Sequence, residues 1–295
     1  MPAGARCRSS VNRRRPLRAR SRGTDWHQLV ADLLGILAVP VGLVLFHYFG
    51  SVDLQELLTY ISAAPTLHGL FGHWAVHYSG AHLLENAVGY GLFAGLAYLL
   101  AWSMDDRRWF RLSMATILLV VPALSAAVSS KAFAAVAPKL TYRSRGASAV
   151  VAAVLGLTYV LSLGVVRRNF DLRATVSIGG TSFIAVLTVL LVQSGSVPTV
   201  GALLLPGIAT VVLLFDAAER IRQTGWQLDY RALLVSGSVV LGVTLVMGLA
   251  FLALFPTNPF AGTTITNVFA HAAGFVLGTV VGVWGRRYWT VYSWI

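Results

Sequence analysis

Apolar residues run along this chain in blocks of about twenty, separated by short polar stretches in which arginine gathers. A helix needs about 20 mostly apolar residues to cross roughly 30 Å of hydrocarbon. On that criterion the pattern predicts membrane-crossing helices near 29–49, 80–102, 112–134, 147–166, 175–194, 198–217, 231–255 and 266–285. The pair within 175–217 also reads as a looser hairpin. Between the first two blocks, Leu54–Ile61 suits a short helix lying at the interface.

The basic residues give these eight spans a direction, because loops on the cytoplasmic side of a membrane are enriched in lysine and arginine. With a cytoplasmic N-terminus, Arg107, Arg108 and Arg111 fall inside, as do Arg167, Arg168 and Arg173. So do Arg220, Arg222 and Arg231, and finally Arg286 and Arg287. The opposite loops 50–79, 195–197 and 256–265 hold no lysine or arginine. The exceptions are Lys131, Lys139, Arg143 and Arg145, all in one stretch. The expected topology is eight spans with both termini cytoplasmic.

Composition agrees with the pattern: 56% of residues are hydrophobic and 12% charged, about half the charged fraction of a soluble domain. The fold class expected is an all-α polytopic membrane protein of the cell membrane. A basic cytoplasmic tail (1–28) precedes a transmembrane domain (29–285), and a short cytoplasmic tail (286–295) follows. The net charge of +12 does not signal nucleic acid. Arg6, Arg8, Arg13, Arg14, Arg15, Arg18, Arg20 and Arg22 crowd the tail ahead of the first span, where they act as a topology signal or touch anionic lipid. The single cysteine, Cys7, excludes an internal disulfide. Leu29–Phe49 is longer than a signal-peptide core and lacks a small-residue cleavage site, so it reads as a retained span.

Polar residues inside such a chain are expensive and call for a reason. GHWAVHYSGAHLLENAVGYG, Gly72 to Gly91, holds His73, His77, His82, Glu85 and Asn86. His82 and Asn86 are spaced i, i+4 and share one side of the second span, in its first turns; Glu85 is expected to point elsewhere. Ser148 opens the fourth span and His271 the eighth, and all three spans run outside to inside. Their polar residues therefore share one depth, just below the external face. Ser148, Ala152 and Gly156 form a small-residue row, as do Gly274, Gly278 and Gly282, and such rows let helices approach closely. Close approach would put the His271 imidazole within hydrogen-bond reach of the Ser148 hydroxyl, the layout of a nucleophile with its general base. No Asp or Glu follows Asp229, so a dyad is what the residues permit. Ordinary helix capping and tight packing would use the same residues. A metal site on His73 and His77 is a further alternative, though no HExxH occurs; neither metal nor cofactor is expected. Asp32 and Asp216 lie near the predicted inner ends of spans and are given no role.

These residues resemble the rhomboid intramembrane serine proteases. The family's H-x3-H-x4-H-x3-N pattern appears as His73, His77, His82 and Asn86, its G-x-S as Gly146-Ala147-Ser148, and its A-H-x-x-G-x-x-x-G as Ala270-His271 through Gly274 and Gly278. The resemblance implies a six-helix rhomboid-like core, here with a helical hairpin inserted at about 175–217. It implies a protease cleaving transmembrane segments of other proteins near the external face. Ser148 would be the nucleophile and His271 the base. Asn86 and His82, with the Ser148 N–H, would hold the oxyanion, and His77 and Gly146 would support them. The 256–265 loop would lie near the substrate gate. The expected partners are transmembrane protein substrates and membrane lipids, not nucleic acid. The chain departs from the family in carrying Ala149 for a glycine, Ala152 for a tyrosine that packs on the histidine, and no Trp-Arg pair in its first external loop. A catalytically silent relative that binds transmembrane helices is the alternative.

Overall fold

The computed structural model describes residues 26–138, 141–193, 230–256 and 266–292. Its long helices are α1 (Trp26–Phe49), α4 (Gly80–Ser103), α5 (Arg107–Val136), α6 (Ser148–Asn169), α7 (Leu172–Gln193), α8 (Tyr230–Leu254) and α9 (Val268–Tyr292). Between α1 and α4 lie two short helices, α2 (Val52–Leu58) and α3 (Leu67–Gly72), and a 3-10 turn at His73–Ala75. One two-residue strand pair, β1 (Tyr60–Ile61) with β2 (Arg143–Ser144), is antiparallel. Among the described residues, seven helices are long and apolar enough to cross a membrane. The chain is a mostly helical, multi-pass membrane protein. The predicted crossing at 198–217, most of the basic tail, Cys7, Asp216 and nearly all of the 256–265 loop lie outside the described residues.

Several boundaries differ from the sequence expectation. The short helix expected at Leu54–Ile61 is α2, Val52–Leu58, and Tyr60–Ile61 instead forms strand β1, paired with Arg143–Ser144. Helix α5 begins at Arg107 rather than near 112, because Trp109 is buried and its indole donates to the Gly282 carbonyl of α9 (2.9 Å). Helix α9 continues to Tyr292, so the segment expected as a tail from 286 is helical through that residue. The tight α4–α5 connection is made by Asp105 at φ +53°, a left-handed position that Asp tolerates better than most residues.

Helix α6 is the axis of the bundle. It is apolar all round and buried nearly all round, with α4, α5, α7, α8 and α9 packed against it, as expected of a helix without a polar face. Helix α1, by contrast, packs chiefly on α4 and leaves most of its surface outward. The closest approach is between α6 and α9. A methyl added at Gly278 would lie 2.5 Å from the Ala153 carbonyl carbon, and one at Gly274 would lie 3.0 Å from that of Ala149. One at Gly156 would lie 2.9 Å from the Thr279 nitrogen. The α9 glycines thus seat on the Ala149 and Ala153 backbone, one position round the helix from the expected Ser148–Ala152 row. Helix α7 docks on α6 and α8, with Tyr159 Oη donating to the Gly179 carbonyl (2.7 Å).

At the opposite end of the bundle from Ser148, Asp32 is buried and takes both arms of Arg111 (Nε–Oδ1 2.6 Å, Nη2–Oδ2 3.0 Å) and the Tyr98 hydroxyl (3.0 Å). Asp32, given no role from the sequence, ties α1 to α4 and α5.

Candidate active site

Each polar residue of the site is set by a local device. Ser79 caps α4 by accepting from the His82 N–H (3.2 Å), which puts His82 in the first turn and Asn86 one turn further on. Asn267 caps α9 through the Ala270 N–H (3.0 Å), which sets His271 in that helix's first turn. Asn267 was not singled out from the sequence, although an Asn directly before an apolar block is an N-cap signal. Ser148 is the first residue of α6, whose N-cap, Ala147, offers no side-chain acceptor. The first-turn N–H groups of a helix have no intrahelical partner, and the Ser148 N–H is one of them.

The structure brings Ser148 and His271 together: His271 Nε2 is 2.9 Å from Ser148 Oγ. The other ring nitrogen, Nδ1, is 2.5 Å from the Leu254 carbonyl oxygen. A carbonyl only accepts, so Nδ1 carries the hydrogen, and in the neutral ring Nε2 is left as the acceptor for the serine O–H. Leu254 is the last residue of α8, and its carbonyl is among the C-terminal groups that lack an intrahelical partner. This backbone oxygen occupies the place where a triad has a carboxylate. Phe255 adds an edge-on ring contact to His271 (centroids 6.1 Å, 88°).

Gly146 has φ +120°, a conformation essentially restricted to glycine. A methyl there would lie 2.5 Å from His82 Cε1, 2.9 Å from His82 Nε2 and 3.5 Å from Asn86 Nδ2. Both α4 side chains therefore close directly on the segment that delivers the serine. Asn86 is buried and its Nδ2 donates to the His82 carbonyl (2.9 Å), which leaves its second amide hydrogen for another acceptor.

His77 and His73 hold the same segment from below. His77 donates from Nδ1 to the Ala75 carbonyl (3.3 Å) and accepts at Nε2 from the Ala147 N–H (3.4 Å). Burial, with lesser contributions from His82 and His47, pushes its pKa down to about 4, and the neutral ring is the form that can accept. His73 is buried, bonded through Nδ1 to the Gly69 carbonyl (3.0 Å), and its own carbonyl accepts from the Gly146 N–H (3.0 Å). Burial lowers its pKa as well. The two histidines thus face different backbone partners. Among the described residues no three His, Cys, Asp or Glu side chains converge as a metal site.

Around this constellation lies a cavity of about 740 Å³. His82, Asn86, Ser148 and His271 line it, together with Gly89, Phe93, Val151, Ala250 and Ala253 on its apolar side and Tyr78, Arg143 and Arg145 on its polar side. Glu85, expected to point away from the cluster, lines the same cavity, because it lies three residues after His82 and so on the same face of α4. The arrangement supplies a hydroxyl, a base in the accepting tautomer and several N–H donors, which is what acyl transfer requires. Compared with protein families, with curated proteins and with solved structures, the chain has no significant match in any of the three.

Proposed function

We propose that this protein is an intramembrane serine endopeptidase of the rhomboid type, cleaving transmembrane segments of other membrane proteins near the external face of the cell membrane. The observation that carries this reading is the 2.9 Å contact between Ser148 Oγ and His271 Nε2, with Nδ1 occupied by the Leu254 carbonyl. In this reading α1, α4, α5, α6, α8 and α9 are the six core spans, and α7 with the 198–217 segment is the inserted hairpin. The N-terminus lies in the cytoplasm.

The chemistry follows from the geometry. His271 Nε2 takes the Ser148 proton as Oγ bonds to the scissile carbonyl carbon. The oxyanion accepts from the Asn86 amide, the His82 ring and the Ser148 N–H, donors whose combined effect is largest in a water-poor site. As the C–N bond breaks, His271 returns the proton to the leaving amine. Water, activated in turn by His271, then hydrolyses the ester. Hydrolysis within lipid needs water at the dyad, and Tyr78, Arg143 and Arg145 give the cavity polar lining.

Ser148→Ala should reduce cleavage of a reporter transmembrane substrate to background with expression unchanged; undiminished cleavage would overturn the assignment. The departures at Ala149 and Ala152 keep alive the alternative of a silent helix-binding relative, and the intact Ser148, His271 and Asn86 set argues against it. Covalent labelling of Ser148 by a fluorophosphonate, lost in His271→Ala, separates the two, since a silent protein labels in neither.

A further inference from the structure

Arg143 and Arg145 break the charge rule that orders every other loop, and the structure shows what they meet. Glu56, on the short surface helix α2, takes Arg143 on one carboxylate oxygen and Arg145 on the other. Arg145 also donates to Thr59 Oγ1 (2.8 Å) and lies over the Tyr78 ring (5.5 Å). The same two segments are joined by backbone pairing, Tyr60 with Ser144 and Ile61 with Arg143. Ser62 completes the junction: its N–H donates to the Tyr142 carbonyl (3.1 Å) and its hydroxyl accepts from the Tyr142 N–H (3.0 Å). On the far side, Tyr78 Oη donates to the Arg143 carbonyl (2.6 Å). All of these contacts converge on residues 142–145, and Gly146-Ala147-Ser148 follows at once.

We propose that Glu56 is a positioning residue for the nucleophile: through Arg143 and Arg145 it clamps the 142–147 segment to the surface helix and so fixes where Ser148 enters the bundle. The clamp rests on the proposed protease reading for its catalytic consequence, but not for its existence. The Arg145 hydrogen bond, and then the charges of both guanidiniums, hold the Glu56 carboxyl below the usual carboxylate range, so the clamp is charged at neutral pH. Glu56 and Arg143 are each about half exposed (47% and 48%), whereas Arg145 is 15% exposed. An exposed pair alone would contribute little; here one carboxylate bridges two cations, and the inner one is shielded.

The test compares the full-length wild type, Glu56→Gln, Arg143→Gln and the double variant in detergent or vesicles. Three readouts are used: hydrogen exchange over 142–148, fluorophosphonate labelling, and kcat and KM on a reporter substrate. Glu56→Gln should raise exchange in 142–147 and lower kcat about tenfold with KM within about twofold, since loss of near-attack geometry acts on the chemical step. Arg143→Gln should add little on top of it, because both changes break one network. High salt should loosen the wild-type segment and leave Glu56→Gln unchanged. Exchange and kcat equal to wild type in Glu56→Gln would overturn the clamp while leaving the protease reading intact. If the wild type neither labels nor cleaves, the protease reading fails, and the exchange comparison still decides whether the clamp exists. Should Glu56→Gln not fold, Arg143→Gln combined with Arg145→Gln removes both cations from Glu56 and carries the same comparison, and unchanged exchange there refutes the proposal.

Discussion

The dyad depends on how closely α9 sits against α6, and Gly274→Ala puts that to a quantitative test. The added methyl would lie 3.0 Å from the Ala149 carbonyl carbon, with the carbonyl oxygen closer still. Carbon atoms in comfortable contact are about 3.5–4.0 Å apart, so the helices must separate locally by about 1 Å. Gly274 is three residues from His271, less than one turn along the same helix, and Ala149 adjoins Ser148. The displacement therefore passes almost undiminished to the dyad, stretching 2.9 Å to about 3.9 Å, beyond hydrogen-bond range. A misplacement of that size costs on the order of 100-fold in rate, and overpacking costs about 1–3 kcal/mol in stability. Gly242→Ala on α8, where an added methyl meets nothing within 4 Å, is the control. The assay is the rate of fluorophosphonate labelling of Ser148, alongside a thermal melt of each variant in detergent. Expected are slow labelling and a lowered midpoint for Gly274→Ala, and neither for Gly242→Ala. Labelling at the wild-type rate in a folded Gly274→Ala protein would show that the glycine contact does not set the dyad distance.

Other outcomes follow from the same geometry. Gly146→Ala should lose labelling while still folding, since its methyl meets the His82 ring at 2.5 Å and φ +120° is unfavourable for alanine; strain of this kind costs about 1–3 kcal/mol, and a melt compared with the labelling rate checks the split. Arg111→Ala strands the buried Asp32 carboxylate with only Tyr98 as partner and should cost about 3 kcal/mol, read as a lowered melting midpoint. Replacing both Asp32 and Arg111 by leucine should cost less than Arg111→Ala alone. His77 has its pKa depressed to about 4, so the unfolded chain takes up its proton first as the pH falls. The stability that neutral His77 contributes is complete above about pH 6.5 and declines as the pH drops through about 4. His77→Gln should flatten that acid dependence of the melting midpoint, and an unchanged slope would remove His77 from the account.

The alternation of long apolar blocks with arginine-bearing loops was enough to locate the seven long apolar helices among the described residues, because the thickness of hydrocarbon imposes a length on every span. Helical spacing and direction were enough to level His82, Asn86, Ser148 and His271 at one end of the bundle, because these depend only on each residue's distance from its own helix start. The sequence did not disclose contacts between distant segments. The partner of His271 is a backbone carbonyl at the end of α8, and a carbonyl leaves no mark in a sequence because every residue has one. The α6 row that receives the glycines is Ala149 and Ala153 rather than Ser148 and Ala152, a choice made by the rotation of two helices about their axes. Glu85 is the reverse case: its three-residue spacing from His82 already placed it on the cavity face of α4, and weighing it against Asn86 alone hid this. Arg143 and Arg145 stood out only as misplaced cations, and Glu56 only as part of a short interfacial segment. Only the tertiary structure brings them together, since residues almost ninety positions apart become neighbours through the packing of the helices between them.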